Sequence, residues 1–194
     1  MRIISGERRG AQLKAPAGLT TRPTLDRVRE SLFSILHGIR ADSRVLDLYA
    51  GSGALGLEAL SRGAQHGVFV EQDRDACKVL TQNIQQLRYE LRATAVFGSV
   101  WSASAQDQIQ RQGPHDIILA DPPYNHGRDE ELIELCLPWL ERENGCLVLQ
   151  GGLQLREKLT GGDAGERKWQ LDDHRRYGKT ELLLISHKAG PDSD

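Results

Sequence analysis

The sequence predicts an α/β fold in which helices cover both faces of a mostly parallel central sheet. Three observations support this prediction. From residue 43 onward, short apolar runs rich in β-branched residues alternate with segments whose apolar positions repeat at helical spacing. A glycine-rich turn follows the first of these runs. The chain has 194 residues, which is enough for one well-packed domain with a small appendage.

The individual elements follow in chain order. We expect five core strands at 43–48, 67–71, 93–97, 116–120 and 146–149. Helices are expected between them at 54–62, 74–88, 101–111 and 129–141, and a terminal pair of strands at 168–171 and 181–186. The second helix has the clearest helical period, with one apolar face formed by Ala76, Val79, Leu80, Ile84 and Leu87.

A small hairpin-plus-helix extension precedes this core. Residues 2–5 and 12–14 are strand-like, and an amphipathic helix follows, with one face formed by Leu25, Val28, Leu32, Ile35, Leu36 and Ile39. Because no repeat or low-complexity linker intervenes, we expect residues 1–40 to belong to the same domain as the core at 41–188. The tail at 189–194 is expected to be disordered.

Composition excludes several classes of protein. Hydrophobic residues make up 39% of the chain, and no stretch approaches the ~20 apolar residues of a membrane span. The N-terminus lacks the apolar core of a signal peptide. Cys77, Cys136 and Cys146 are widely spaced, which predicts reduced thiols in a cytoplasmic protein, with neither a disulfide framework nor a metal site.

The net charge of −2 hides an uneven distribution. Residues 1–30 hold seven bases against three acids, a local +4, so the remaining residues sum to −6. A second basic cluster consists of Arg167, Lys168, Arg175, Arg176 and Lys179. Binding of nucleic acid would come from such local patches, and the alternative is that both are solvated surface.

The turn after the first strand suggests a nucleotide ligand. Gly51, Gly53 and Gly56 match G-x-G-x-x-G, which lets the backbone approach a ligand at a helix N-terminus. Glu71 follows twenty residues after Gly51, where a carboxylate can bind two ribose hydroxyls. Both features fit a nicotinamide dinucleotide as well as other nucleotide ligands.

Asp47 helps to separate these ligands. Dinucleotide-binding folds normally keep an apolar residue near the end of the first strand, and burying a carboxylate there without a partner is costly. A carboxylate suits a cationic ligand, and S-adenosylmethionine carries both an ammonium and a sulfonium group. The alternative is that Asp47 is a strand-end turn residue.

Asp121, Pro122, Pro123 and Tyr124 end the fourth strand and form the candidate catalytic segment. The exocyclic amine of a nucleobase is a poor nucleophile, and two acceptors aimed at its N–H groups can stabilise the charge that develops during methyl transfer. The Asp121 carboxylate and the Pro122 carbonyl are such acceptors, and Tyr124 can stack on a flipped base. A simple strand-ending turn is the alternative.

These motifs together resemble the class I S-adenosylmethionine-dependent methyltransferases, which have a Rossmann-like fold. Asp-Pro-Pro-Tyr is similar to the [DNS]-P-P-[YFW] motif of amino-group methyltransferases. More narrowly, RIISGERRG, RPTLDRVRESLFSIL, LDLYAGSGALGLEALSRGA and DPPY occur in the order seen in a bacterial family that methylates a guanine N2 of small-subunit ribosomal RNA. The similarity runs from about residue 2 to residue 186.

The resemblance implies roles for particular residues. The cofactor, S-adenosylmethionine, would be held by Asp47, Gly51, Gly53, Glu71, Gln72, Ser99 and Asp121. Residues 121–124 would form the catalytic loop, and the RNA would be contacted by Arg8, Arg9, Arg22 and Arg27. The implied partner is ribosomal RNA of the small subunit, as an assembled or late-precursor particle, and a monomer suffices. Ser99 and Gln150 follow the third and fifth strands where an acidic residue is expected.

Two other functions share part of this pattern. A DNA adenine-N6 methyltransferase would use the same tetrapeptide, but the basic hairpin, the first helix and the terminal strand pair, about 75 residues in all, leave little room to recognise a DNA sequence. A non-catalytic RNA-binding module would have no need of Asp121 beside a cofactor cleft. Binding of S-adenosylmethionine distinguishes the enzyme from the binding module.

Overall fold

A seven-stranded sheet organises the protein, in the strand order β3-β2-β1-β4-β5-β7-β6. The computed structural model describes residues 1–16, 23–36, 38–123, 127–161 and 167–188. The strands are β1 (Arg44–Leu48), β2 (His66–Glu71), β3 (Ala93–Phe97), β4 (Ile117–Ala120), β5 (Cys146–Gly151), β6 (Trp169–Tyr177) and β7 (Thr180–His187). The first five are parallel, and β7 runs antiparallel to both β5 and β6. The predicted fold class is confirmed.

Helices lie on both faces of the sheet because alternate strand residues point to opposite sides. They are α1 (Pro23–Ile35), α2 (Ala54–Ser61), α3 (Arg74–Leu87), α4 (Ala103–Gln112), α5 (Asp129–Cys136) and α6 (Leu155–Thr160). Leu46 and Ile118 pack into the hydrophobic cluster that contains residues of α4, α5 and α6. Val45 and Leu119 belong to the cluster that contains residues of α1, α2 and α3.

The N-terminal segment packs into this second cluster. Ile3 and Leu13 are buried there together with Val28 and Leu32 of α1. The predicted strand-like pieces at 2–5 and 12–14 are reduced to a single antiparallel bridge between Arg2 and Gln12. The pairing stops there because the backbone of residues 4 and 5 donates its N–H groups to a side chain of α2.

Other predicted bounds were also wrong. The helix at 129–141 ends as an α-helix at Cys136 and continues as a 3-10 turn over Leu137–Trp139, because Pro138 has no N–H to donate. The N-terminal helix ends at Ile35, so Ile39 lies beyond it. The short helix α6 was not predicted, and β6 is longer than 168–171.

Three other features bear on the predictions. All three cysteines are free thiols. Among the described helices, none combines the length and apolar character that crossing a membrane requires. Arg22, Tyr124 and the tail at 189–194 lie outside the described residues.

Candidate active site

The carboxyl ends of the parallel strands bring the predicted site residues together. Strand order reverses between β1 and β4, which are neighbours in the sheet. The glycine loop follows β1, Glu71 ends β2, and Asp121 follows β4. Ligands of open α/β sheets bind at this point of reversal, so the glycine loop and Asp121 lie at the edge where such a ligand would bind.

Glu71 ties the glycine loop to the second strand. One carboxylate oxygen accepts the N–H of Gly51 at 2.7 Å, and the other accepts the N–H of Asp73 at 2.7 Å. Gly51 has φ of +55°, and a Cβ on it would meet only one atom, the carbonyl oxygen of Tyr49 at 4.0 Å. The loop therefore presents bare backbone to the cleft, where a ligand can approach closely.

Asp47 lies beneath this loop and is 2% exposed. Its Oδ2 accepts the N–H of Gly56 at 2.8 Å, and a Cβ on Gly56 would overlap the Phe69 ring at 2.4 Å. The pKa of Asp47 is raised to about 7, chiefly by burial and in smaller part by the neighbouring carboxyls of Asp121 and Glu71, against the lowering effect of the Gly56 N–H. These carboxylates repel one another, so a cationic ligand in the cleft would reduce the electrostatic repulsion among them.

Asp121 stands at the end of β4, beside the fifth strand. Burial raises its pKa to about 6, and a hydrogen bond from the Gln150 side chain lowers it. Pro122 is buried and Pro123 is exposed, so the segment leaves the sheet immediately after Asp121. The partner of Asp121 is thus Gln150. This residue follows the predicted fifth strand, and the sequence indicated no role for it.

The remaining cofactor candidates lie along the same edge. Gly53 precedes α2 and donates its N–H to the carbonyl of Ala50 at 2.7 Å. Gln72 is exposed directly after Glu71. Ser99 is partly exposed after β3, where its carbonyl accepts the hydroxyl of Ser102 at 2.8 Å. Each of these residues lies at the carboxyl edge of the sheet, in the segment that follows a parallel strand.

An aromatic cluster at this edge was not predicted. Tyr49 has φ of +60°, an unusual value for a residue with a side chain, and its hydroxyl hydrogen-bonds with Trp101. The Arg128 guanidinium stacks on the Trp101 ring at 3.6 Å from the centroid. Arg128 is the residue immediately before α5. Its contact with Trp101 joins residues 27 positions apart, which no local pattern indicates.

The predicted RNA-contact residues are divided between two places. Arg9 and Arg27 line one cavity of about 560 Å³ together with Arg2 and Arg62. Arg8 lies elsewhere, with its backbone N–H on the Ser61 hydroxyl at 3.0 Å and its guanidinium over the Tyr89 ring. The structure therefore groups Arg9 and Arg27 and separates Arg8 from them.

A parallel sheet with a glycine loop after β1, an acid ending β2 and Asp-Pro-Pro after β4 defines a class I S-adenosylmethionine-dependent methyltransferase. The chain belongs to the family described as "Conserved hypothetical protein 95", whose model matches residues 1–186. This membership confirms the resemblance predicted from the motifs.

Individual relatives agree with this assignment. The chain is 35% identical to "Ribosomal RNA small subunit methyltransferase D" of Escherichia coli (strain K12), over 100% of this chain and 93% of that protein. It is 34% identical to the protein of the same name from Haemophilus influenzae, over 83% of this chain and 89% of that protein. The solved structure of "Putative methyltransferase yhhF" from Escherichia coli superposes with a TM-score of 0.78 at 33% identity, covering 98% of this chain and 99% of that one.

Proposed function

We propose that this protein methylates the exocyclic N2 amine of a guanine in small-subunit ribosomal RNA. The observation that carries the proposal is the position of Asp121, which follows the strand adjacent to the one that leads into the glycine loop. An acceptor for the amine N–H thus lies next to a backbone cradle for the cofactor. The names of the full-length relatives support ribosomal RNA as the substrate.

The residues at the carboxyl edge of the sheet fit S-adenosylmethionine. When bound, it supplies an electrophilic methyl group at a sulfonium centre. The bare backbone at Gly51 and the carboxylate of Glu71 would hold it, and the buried charge of Asp47 would favour its cationic groups. Gly53, Gln72 and Ser99 complete the set that we assign to cofactor binding, and we assign Asp121, which the resemblance also placed there, mainly to the acceptor amine.

Asp121 and the prolines would prepare the acceptor amine. The Asp121 carboxylate accepts one N–H of the amine and the Pro122 carbonyl accepts the other, which holds the nitrogen lone pair towards the donor. The two prolines restrict the backbone, so these acceptors are oriented before the base arrives. Tyr124 would stack on the flipped base, an interaction worth about 1–3 kcal/mol in nucleic-acid sites.

The cavity between the N-terminal hairpin and α1 is our proposed contact for the RNA backbone. Arg2, Arg9, Arg27 and Arg62 line it, with Glu30 as the acidic member. Arg62 follows the last turn of α2, whose eight residues span about 12 Å from the glycine loop. RNA that reaches both the cavity and Asp121 must therefore extend along this face. Arg8, whose guanidinium lies over the Tyr89 ring outside this cavity, and Arg22, which lies outside the described residues, are kept as further proposed RNA contacts.

We further propose that the substrate is an assembled or late-precursor particle, because these patches offer few contacts with which to read a sequence. We propose that the protein acts as a cytoplasmic monomer. Residues 1–40 would fold with the core at 41–188 as one unit, since Ile3 and Leu13 share a hydrophobic cluster with α2.

Transfer of labelled methyl from S-adenosylmethionine to small subunits that lack their native methylation tests this function. Nucleoside analysis should find N2-methylguanosine at one site with the wild-type protein. Label in N6-methyladenosine would move the substrate to an adenine and contradict the proposal. Naked ribosomal RNA assayed in parallel tests the preference for a particle.

A further inference from the structure

A small pocket lies on the side of Asp121 that faces away from the glycine loop. Its volume is about 160 Å³, and it is lined by Pro122, Pro123, Gln150, Gly151, Leu153 and Lys158 among others. Because β1, β4 and β5 are successive strands of the sheet, three features lie in that order along its edge. The glycine loop follows β1, Asp121 follows β4, and the pocket follows β5. A planar base in this pocket and a cofactor at the glycine loop would lie on opposite sides of Asp121.

Gln150 connects the pocket to Asp121. The pairing of Ala120 with Leu149 puts Asp121 and Gln150 one step further along neighbouring parallel strands. Gln150 is 6% exposed, and its side chain hydrogen-bonds the Asp121 carboxyl. An ionised carboxylate can only accept, so the Gln150 amide nitrogen is the donor and turns towards Asp121. The amide carbonyl oxygen is then left to accept a second hydrogen bond, and Gln150 itself lines the pocket.

We propose that the Gln150 carbonyl oxygen accepts the N1–H of the target guanine while Asp121 accepts an N–H of its exocyclic amine. This inference rests on the proposed function and assigns the choice of base to Gln150. Guanine presents two donors side by side, the N1–H and the N2 amine. Adenine presents an unprotonated N1 beside its amine, so its ring nitrogen would face the Gln150 oxygen. A site built to hydrogen-bond one group strongly rejects a base that lacks it.

Two substitutions separate the acceptor role of Gln150 from its donor role. Gln150→Leu removes both, whereas Gln150→Glu keeps an acceptor at the pocket and loses the donor to Asp121. Gln108→Leu, on the exposed surface of α4, is the matched control. The assay measures kcat/KM for methyl transfer to small subunits that carry either guanine or adenine at the target position found with the wild-type protein.

We expect Gln150→Leu to reduce the preference for guanine over adenine by about tenfold or more, with the affinity for S-adenosylmethionine unchanged by calorimetry. Gln150→Glu should keep the preference for guanine. In both variants the pH at which the rate reaches half its maximum should rise, because the carboxyl of Asp121 loses the donor that lowers its pKa. Among the described residues, Asp47 on β1 interacts with the Asp121 carboxyl, and the charged residues Asp129 on α5 and Lys158 on α6 line the pocket.

An unchanged preference in Gln150→Leu would overturn the assignment of Gln150, provided that the wild-type protein forms N2-methylguanosine. Loss of preference in Gln150→Glu as well as in Gln150→Leu would also overturn it, because an acceptor is then not what selects guanine. Absence of N2-methylguanosine with the wild-type protein is a separate result that contradicts the proposed function itself.

Discussion

Two buried carboxylates lie at helix α2, and their surroundings differ sharply. Asp47 lies at its beginning, where it accepts one backbone N–H and faces the acids Asp121 and Glu71. Glu58 lies within the helix and is fully buried. It accepts the N–H groups of Ile4 at 2.7 Å and Ser5 at 2.9 Å, and it pairs with two guanidinium groups, Arg62 at 2.8 Å and Arg29 at 3.9 Å.

This difference indicates that one carboxylate stabilises the fold and that the other suits a bound ligand. A buried charge is stable when hydrogen bonds and opposite charges surround it, as they surround Glu58. Glu58 thereby anchors the N-terminal hairpin to the core. The acids at the carboxyl edge have fewer donors and repel one another, and this arrangement favours a site that receives a cation from outside.

The largest effect is expected from Glu58→Gln. The substitution leaves the guanidinium groups of Arg29 and Arg62 without their shared carboxylate, so the free energy of unfolding should fall by about 3–5 kcal/mol. Chemical denaturation measures this change. The exposed Glu90→Gln should stay within about 0.5 kcal/mol of the wild type. A loss below about 1 kcal/mol for Glu58→Gln would show that the anchor is dispensable.

Asp121→Ala should instead slow the methyl-transfer step. We expect kcat to fall by about 10²–10³, because one of two acceptors for the amine is lost, while the dissociation constant of S-adenosylmethionine barely changes. Single-turnover methyl transfer and calorimetry measure these quantities. Asp107→Ala, on the exposed surface of α4, controls for loss of a carboxylate. Retained activity would refute the role of Asp121.

Asp47→Asn should stabilise the ligand-free protein at high pH. The pKa of Asp47 is raised from 3.8 to about 7, so the folded state binds its proton more tightly than the unfolded chain does, and the wild type loses stability as pH rises from about 4 to about 7. Asn keeps an oxygen for the Gly56 N–H and removes the charge. At pH 8 the variant should be more stable by about 2–4 kcal/mol.

Denaturation of Asp47→Asn and wild type between pH 4 and pH 8 tests this expectation, with Asp107→Asn as the exposed control. The gap between variant and wild type should widen with pH, and S-adenosylmethionine should bind the variant more weakly at pH 8. A constant gap would mean that the Asp47 carboxyl does not titrate in this range.

The smallest effect concerns the arginine-lined cavity beside the hairpin. Arg9→Ala combined with Arg27→Ala should weaken binding to small-subunit ribosomal RNA. The negative slope of log K against log salt should become shallower by about 2, one for each lost phosphate contact. The fold should be unaffected because both side chains are exposed. Arg111→Ala combined with Arg142→Ala removes the same charge elsewhere, and an equal slope in the two double variants would exclude a specific surface.

Most of the sheet could be predicted from the sequence. Strand β3 has the predicted bounds, and β1, β2, β4 and β5 differ by a few residues at their ends. The apolar runs of β1, β2, β4 and β5 encode burial on both faces, whereas β3 lies at the edge of the sheet and buries only Val96. The short helix α6 and the polar strand β6 have no such period, since β6 is an edge strand and α6 buries only Leu155 and Leu159.

The sequence by itself determined the parallel sheet, the glycine loop and the acid-proline segment, because periodicity and turn chemistry are properties of neighbouring residues. Only the tertiary structure decided which side chains meet. The Glu58 carboxylate accepts the N–H of Ile4, 54 positions away, and Gln150 reaches Asp121 from the neighbouring strand. Such pairs depend on the register and packing of distant elements, so the anchor of the hairpin and the partner of Asp121 become visible only in the folded chain.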